Sequence, residues 1–453
     1  NESLKLSDTV FFVSLGALTL YSVLFLAYRH GGIRKKAFAI GLGILILSEV
    51  LLSAILGTTT TGSSGRNSYP NLGTEVKAAV SKIYEEDPEA YRIEQIKWYS
   101  TNDPKLYGFR GVSMFSSTVN ANISKFTQKL GLAASPESNR YLFATSTPLV
   151  NGMLGVKYLI GRDHTGTPDN AGYSLWSKSD KVSVYKNDYP LPLGFVVDYG
   201  IYSWNNTDRS PFNVQEDYVA KAIGKKVALY DPVSISAESY TNLTRRTLEG
   251  IRYGYKNDNA SETGSATLTF HAPEKKQMYI YMFANRSYKT NVTVNENKIE
   301  YETRRGLIID LGVLEKDTSI TLEFETQAAK DGYFNLEVVT FDEEAYAAVH
   351  SELSDEPLKI TTFKDTKIVG TVTAKRDGIL YTSIPYEPGW TAKVDGQKVI
   401  IDPIQNAMIA FQVEQGTHEI ELTYIPAGFL SGLFISLVAW VVMVVLYKAQ
   451  KKN

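Results

Sequence analysis

Three stretches of the chain are apolar for five turns of helix or more: Thr9–Tyr28, Ala37–Leu56 and Ala427–Tyr447. Each is long enough to cross a hydrocarbon core of about 30 Å at about 1.5 Å per residue. Between the second and third, the pattern is that of folded, water-facing protein. Gly57–Ser68 is a polar Gly/Ser/Thr run that reads as a linker. Thr74–Glu86 places Val76, Ala79, Val80, Ile83 and Tyr84 at helical spacing ahead of Pro88, and Tyr91–Trp98 alternates as a strand. Further helix is expected near Val119–Leu132, and the alternation of helices and strands predicts an α/β unit. After Ala237, short alternating runs (Ala266–Phe270, Met278–Phe283, Leu307–Leu311, Ile320–Phe324) have β-sandwich texture. Phe341–Leu353 reads as a helix with acids in its first turn, and Trp390–Ile401 as a hairpin turning at Asp395-Gly396.

The expected architecture is an α+β multidomain membrane protein, in which transmembrane helices flank an extracytoplasmic α/β unit followed by two β-sandwich-like units. The boundaries are residues 1–56 for two membrane helices (about 9–28 and 37–56), 57–70 for the linker and 71–236 for the α/β domain. Residues 237–342 form the first β unit, 343–356 a connecting helix, 357–426 the second β unit, 427–447 the last membrane helix and 448–453 a basic tail.

Charge orients this arrangement. Arg29, Arg34, Lys35 and Lys36 lie between the first two spans and Lys448, Lys451 and Lys452 follow the third, so both clusters are expected to be cytoplasmic. Residues 57–426 then lie outside as part of a multi-pass cell-membrane protein. Their 39 basic and 46 acidic residues give a net charge of −7, which argues against a nucleic-acid surface. The chain opens on Asn1 with a span that starts outside, and this reads as the later part of a longer protein with more spans upstream.

Composition removes several chemistries. With no Cys among 453 residues, disulfides, thiolate metal sites and a Cys nucleophile are excluded, and the five His are scattered without ligand spacing. No phosphate-binding loop, dinucleotide fingerprint or nucleophile elbow occurs, no cofactor is indicated, and the question of a divalent cation stays open. Asn122, Asn205, Asn242, Asn259, Asn285 and Asn291 begin N-x-[ST] triplets that read as chance surface polarity.

The candidate chemistry is therefore sparse. Glu49 is a carboxyl group within a span, where it requires protonation, a partner or a polar cavity; a headgroup pocket and a protonated carboxyl bonded to a neighbouring helix outside this chain are equally good readings. Tyr91, Arg92, Trp98, Asn102, Tyr107 and Arg110 form a polar-aromatic stretch in which Arg92 and Arg110 suit a phosphate or anionic polymer, and Trp98 and Tyr107 suit stacking on a sugar. The plainer alternatives are arginines paired with nearby acids and aromatics in the core.

The ordered series LSEVL (Leu47–Leu51), YRIE (Tyr91–Glu94), LYGFRGVSMFSST (Leu106–Thr118), GVKYLI (Gly155–Ile160), VYKNDYPLPLGF (Val184–Phe195), EPGWTAKVDG (Glu387–Gly396) and GTHEIELTYIPAG (Gly416–Gly428) resembles the C-terminal half of the bacterial YfhO-type membrane proteins. The resemblance implies a polytopic GT-C-type glycosyltransferase that moves a sugar from a polyprenyl-phosphate carrier to a cell-surface polymer such as lipoteichoic acid in Gram-positive bacteria. It also implies that the catalytic carboxylate lies upstream of Asn1, so that no position here inherits that role. The implied partners are the lipid-linked sugar, a surface polysaccharide or teichoic acid, the lipid bilayer, and a second glycosyltransferase that loads the carrier. Two other readings stand beside it: a non-enzymatic membrane-anchored carbohydrate-binding or structural surface protein, and a transporter or flippase subunit.

Overall fold

The computed structural model describes residues 8–60, 72–135, 139–143, 146–162, 172–285, 289–327 and 331–451. The chain divides into two compact units, residues 1–71 and 72–453.

The first unit is a helical hairpin of α1 (Asp8–Arg29) and α2 (Lys35–Thr60). Their contact is made by small residues and rings. A Cβ at Gly41 would lie 3.2 Å from Leu24 Cδ1, and Phe38 meets Phe25 edge-on and stacks on Tyr28 with ring centroids 5.2 and 4.4 Å apart. Most of the other large apolar side chains are exposed, as lipid-facing helices allow. The linker expected from residue 57 begins later, because residues 57–60 continue α2; the rest of it lies outside the described residues.

The second unit opens with α3 (Gly73–Glu86), whose Val76, Val80 and Ile83 face a small core shared with a four-stranded sheet. The order of that sheet is Arg92–Gln95, Val156–Arg162, Val182–Asn187, Tyr173–Lys178, and only the first two strands run parallel. The long crossover between them carries α4 (Asp103–Tyr107), α5 (Ala121–Lys129) and α6 (Pro148–Met153). The helix expected near Val119–Leu132 is thus α5, capped by the Asn120 side chain, which accepts from Asn122 N.

Two pairs of sheets follow. Strands Ala237–Thr241, Ser265–His271, Ser319–Glu325, Lys289–Val294 and Asn297–Glu302 form one sheet. Leu243–Glu249, Arg252–Asn257, Gly332–Phe341, Lys276–Ala284 and Leu307–Leu314 form the next, and both contribute to one apolar cluster. Phe324 of the first stacks on Phe334 of the second with ring centroids 4.7 Å apart. Past α8 (Glu343–Leu353), capped by Asp342, strands Lys359–Lys364, Lys367–Ala374, Gly416–Tyr424, Trp390–Val394 and Gln397–Val399 make a five-stranded sheet. Its cluster is shared with a three-stranded sheet of Met408–Val413, Gly378–Pro385 and Gly194–Val197.

The last of those strands comes from far upstream, as does Tyr230–Pro232, which pairs with the end of Gly332–Phe341. Chain segments expected to belong to the first globular unit therefore complete the sheets of the later ones. Alternation explains how the pieces join. In Lys276–Ala284, Met278, Ile280 and Met282 face the two-sheet cluster, whereas Tyr279 and Tyr281 face a larger core built with α5, α6, α7 (Pro211–Ile223) and α8. In Gly378–Pro385, Ile379 and Tyr381 face that same larger core while Leu380 faces the C-terminal cluster. Both strands are buried on two faces; Met278–Phe283, expected to alternate, is instead an unbroken apolar run, as two-sided burial favours.

The chain leaves this unit through α9 (Phe429–Gln450), none of whose residues is buried. With α1 and α2 it makes three helices long and apolar enough to span a membrane. The Asp395-Gly396 hairpin forms as expected: Val394 pairs with Gln397, and φ values of 50° and 78° at the two turn residues give a tight primed turn. Truncating the cross-sheet stack is expected to be costly. Phe324→Ala should lower stability by about 3 to 5 kcal/mol through lost burial and the cavity left against Phe334, read as a fall in the unfolding midpoint of the full chain in detergent.

Candidate functional site

The side chains of the short strand Arg92–Gln95 anchor it to its surroundings. Arg92, half-buried, donates from Nη1 to the Leu154 carbonyl (2.5 Å) and Ser383 Oγ (2.8 Å) and from Nη2 to the Ser383 carbonyl (2.8 Å). All three acceptors are uncharged. Burial pulls its pKa down to about 10, which leaves the guanidinium charged at neutral pH.

Two residues on, Glu94 is 1% exposed and holds the loop that follows α4. Its Oε1 accepts from Val112 N and Ser113 N (2.6 Å for the latter), and its Oε2 from Ser113 Oγ and Gln95 N. The loop approaches so closely that a Cβ on Gly111 would lie 2.5 Å from Pro104 Cγ and 2.8 Å from Glu94 Oε1, so glycine is required there. Burial outweighs these hydrogen bonds and pushes the Glu94 carboxyl up to about 7.

The anchored strand, the loop and the C-terminal sheets enclose a pocket of about 350 Å³. Its cationic lining is Arg92, Lys105, Arg110 and Lys364, against one carboxylate, Asp365. Arg110 is held across the rim by Phe363: its Nη2 donates to the Phe363 carbonyl (3.1 Å) and its guanidinium lies 4.5 Å from the centre of the Phe363 ring. Trp390 forms an aromatic wall, tilted against Tyr424 with centroids 5.2 Å apart. Tyr141 is another wall residue, and burial pushes its hydroxyl pKa up to about 12.

Strand register places the pocket at one end of the five-stranded sheet. Trp390 pairs with Tyr424, and Tyr424 N donates to the carbonyl of Thr366, in the turn that carries Lys364 and Asp365. Only Ile425 to Gly428 separate Tyr424 from α9. The pocket thus lies at the end of the sheet from which the membrane helix departs.

Of the residues singled out in the sequence, Arg92, Arg110 and Asn102 line this pocket together. Trp98, 43% exposed, is not on its wall, and Tyr107, at 2% exposure, has its ring inside the core with no face for a sugar. Glu49 accepts a hydrogen bond from Tyr21 Oη of α1 (2.8 Å), so its partner lies within the same helical hairpin. Lys105, Lys364 and the buried Glu94 escaped the sequence reading, and Trp390 was not associated in it with Arg92 and Arg110. The EPGW and YRIE segments contain two of them, but nothing in the local pattern shows that residues nearly 300 positions apart meet. Among the described residues no group of side chains is suited to hold a metal ion.

Similarity decides the family. Residues 2–436 match the description "Bacterial membrane protein YfhO". The chain belongs to the YfhO family. A curated relative, the YfhO protein of Bacillus subtilis (strain 168), is 24% identical over 452 residues, covering 92% of this chain and 51% of the relative. The YfhO-family chain described here thus spans about half the length of the curated relative it matches.

Solved structures resemble it only loosely. A family 35 carbohydrate-binding module from Clostridium thermocellum is 12% identical at a TM-score of 0.18, over 25% of this chain and 98% of that one. The C-terminal family 6 module of a laminarinase from Zobellia galactanivorans is 10% identical at 0.17, over 24% and 98%. A mycobacterial arabinofuranosyltransferase is 8% identical at 0.14, over 42% and 26%. Likenesses at these scores carry no argument about this YfhO-family chain.

Glu94 supplies a pH test. Its carboxyl is raised in the folded state, so the stability it contributes is fully present below its ordinary value of 4.5 and is lost as pH rises through about 7. The unfolding free energy of the full chain in detergent should fall across that window, by about 3 kcal/mol at most from this group. Glu94→Gln should flatten the fall, and an unchanged slope would assign it to other groups.

Proposed function

We propose that this chain is part of a membrane glycosyltransferase whose pocket receives the phosphate of a polyprenyl-phosphate sugar, or the anionic surface polymer that accepts the sugar, on the extracytoplasmic side. The observation that carries the reading is an excess of cations over the one lining carboxylate, Asp365. Arg92 is half-buried and bonded only to uncharged oxygens, beside Lys105, Arg110 and Lys364. Among the described residues none of the four forms an ion pair. A phosphate entering the pocket supplies the missing charge, and guanidinium groups suit it because they donate two parallel hydrogen bonds.

In sugar transfer, negative charge grows on the departing lipid phosphate, and fixed cations in a partly dry site stabilise that charge without having to reorganise. Trp390 offers an apolar ring to the C–H face of a sugar. The acid-base step requires a carboxylate near the acceptor hydroxyl. In this proposal the carboxylate belongs to the longer protein, as the resemblance to GT-C enzymes implies, and Asp365 on the pocket wall is not assigned that task. The same sparseness supports a second reading, a membrane-anchored protein that binds an anionic surface polysaccharide without chemistry.

The test is the glycosyl content of lipoteichoic acid and other wall polymers, measured by NMR on the source organism with and without the full-length gene. Loss of one substituent, restored by the intact gene, supports the transferase. Arg110→Ala combined with Lys364→Ala, both exposed positions, should reduce the restored substituent about tenfold or more if each removes a charge-assisted contact. An unchanged polymer set without the gene would favour the binding protein.

A further inference from the structure

Outside the membrane helices, the most exposed large apolar side chain among the described residues is Ile400, at 86%. Its place in the fold is specific. The edge strand Gln397–Val399 pairs with Trp390–Val394 so that Val399 faces Ala392, and Ala392 faces Leu422 of the strand leading to α9. Ile400 is one residue further toward that end of the sheet and is level with Thr423. Two strand spacings, about 10 Å, separate it from Thr423 across the sheet. From Thr423 to Phe429, the first residue of α9, the chain reaches at most about 20 Å.

The neighbours at this end have the character of a membrane interface. Ile425 is 51% exposed and immediately precedes the turn into α9, and the half-buried pair Trp390 and Tyr424 is the aromatic type enriched where helices enter the headgroup layer. Lys364, in the adjoining turn, is exposed. The opposite end of the same sheet, where Ala374 pairs with Gly416, presents the polar and charged turn residues Lys375, Arg376 and Asp377 and the exposed Gln415. The apolar exposure is thus confined to the end from which the span departs.

We propose that the edge carrying Ile400 is a second membrane contact, which inserts this side chain and Ile425 into the lipid headgroup region beside α9. The occupant is the bilayer in which α9 sits, and the covalent continuity from Tyr424 through Ile425 into that helix brings the two together. The contact fixes how the five-stranded sheet stands on the membrane, independently of whether the pocket serves catalysis or binding.

Because the chain has no cysteine, one introduced thiol is a unique labelling site. The full chain carrying Ile400→Cys, labelled with an environment-sensitive fluorophore, is reconstituted into phosphatidylethanolamine–phosphatidylglycerol vesicles. A Gln415→Cys variant treated identically marks the far end of the sheet. Spin-labelled lipids with the quencher near the headgroup should quench the label at 400 several-fold more than the label at 415, with a blue shift at 400 only. Equal weak quenching at the two positions would overturn the proposal. So would a blue shift at 400 without lipid quenching, since protein rather than lipid would then cover the site. A final variant, Ile400→Asn, should fold as the parent does and make a label at Lys398→Cys less quenched by the same lipids; an undiminished signal there would count against insertion of Ile400.

Discussion

The second unit depends on a clasp between its beginning and its end. Arg92, in the first strand, donates two of its three hydrogen bonds to Ser383, 291 residues later, and the third to the carbonyl of Leu154. A half-buried guanidinium is expensive to desolvate, and its uncharged acceptors return only part of that cost. The clasp nevertheless fixes one strand of the four-stranded sheet against the three-stranded one, and the wall between them is the pocket. Fold and site therefore rest on the same side chain. Arg92 is a poor residue to replace when the pocket is probed, and the exposed Arg110 and Lys364 separate binding from folding more cleanly.

Around the clasp, the architecture is set by strands buried on both faces. Met278 to Ala284 and Gly378 to Ser383 each send alternate side chains into different clusters, so that neighbouring regions share a core instead of meeting through a linker. Tyr218, Tyr346 and Tyr381 gather in that shared core, with the Tyr218 and Tyr381 rings 5.8 Å apart. Aromatic residues here are mostly structural; they fill the volume between sheets that a smaller aliphatic core would leave open.

The sequence was most legible where the pattern is local. The three spans, α3, the first-turn acids of α8 and the Asp395-Gly396 turn all follow from periodicity, capping residues or backbone preference within a few positions. Legibility failed where pairing is distant. Gly194–Val197 has the composition of a strand in any sheet, and only the folded chain shows that it completes one whose other strands begin after residue 377. The candidate site divides in the same way. Arg92 and Arg110 stood out because they are close in sequence, whereas Trp390 and Lys364 could not be associated with them by spacing. Tyr107 misled because an aromatic beside arginines has the same composition whether its ring faces solvent or the core.

The strand that enters α9 occupies the centre of its five-stranded sheet, hydrogen-bonded on both sides to Lys367–Ala374 and Trp390–Val394. A helix attached to an edge strand can peel away one row of hydrogen bonds at a time; one attached to the middle of a sheet can move only by shearing two ladders at once. Mechanically, the sheet and the membrane helix are joined as a blade is to its handle. The strand is held on two sides up to Tyr424, so any turning of α9 relative to the sheet is confined to the short segment Ile425 to Gly428.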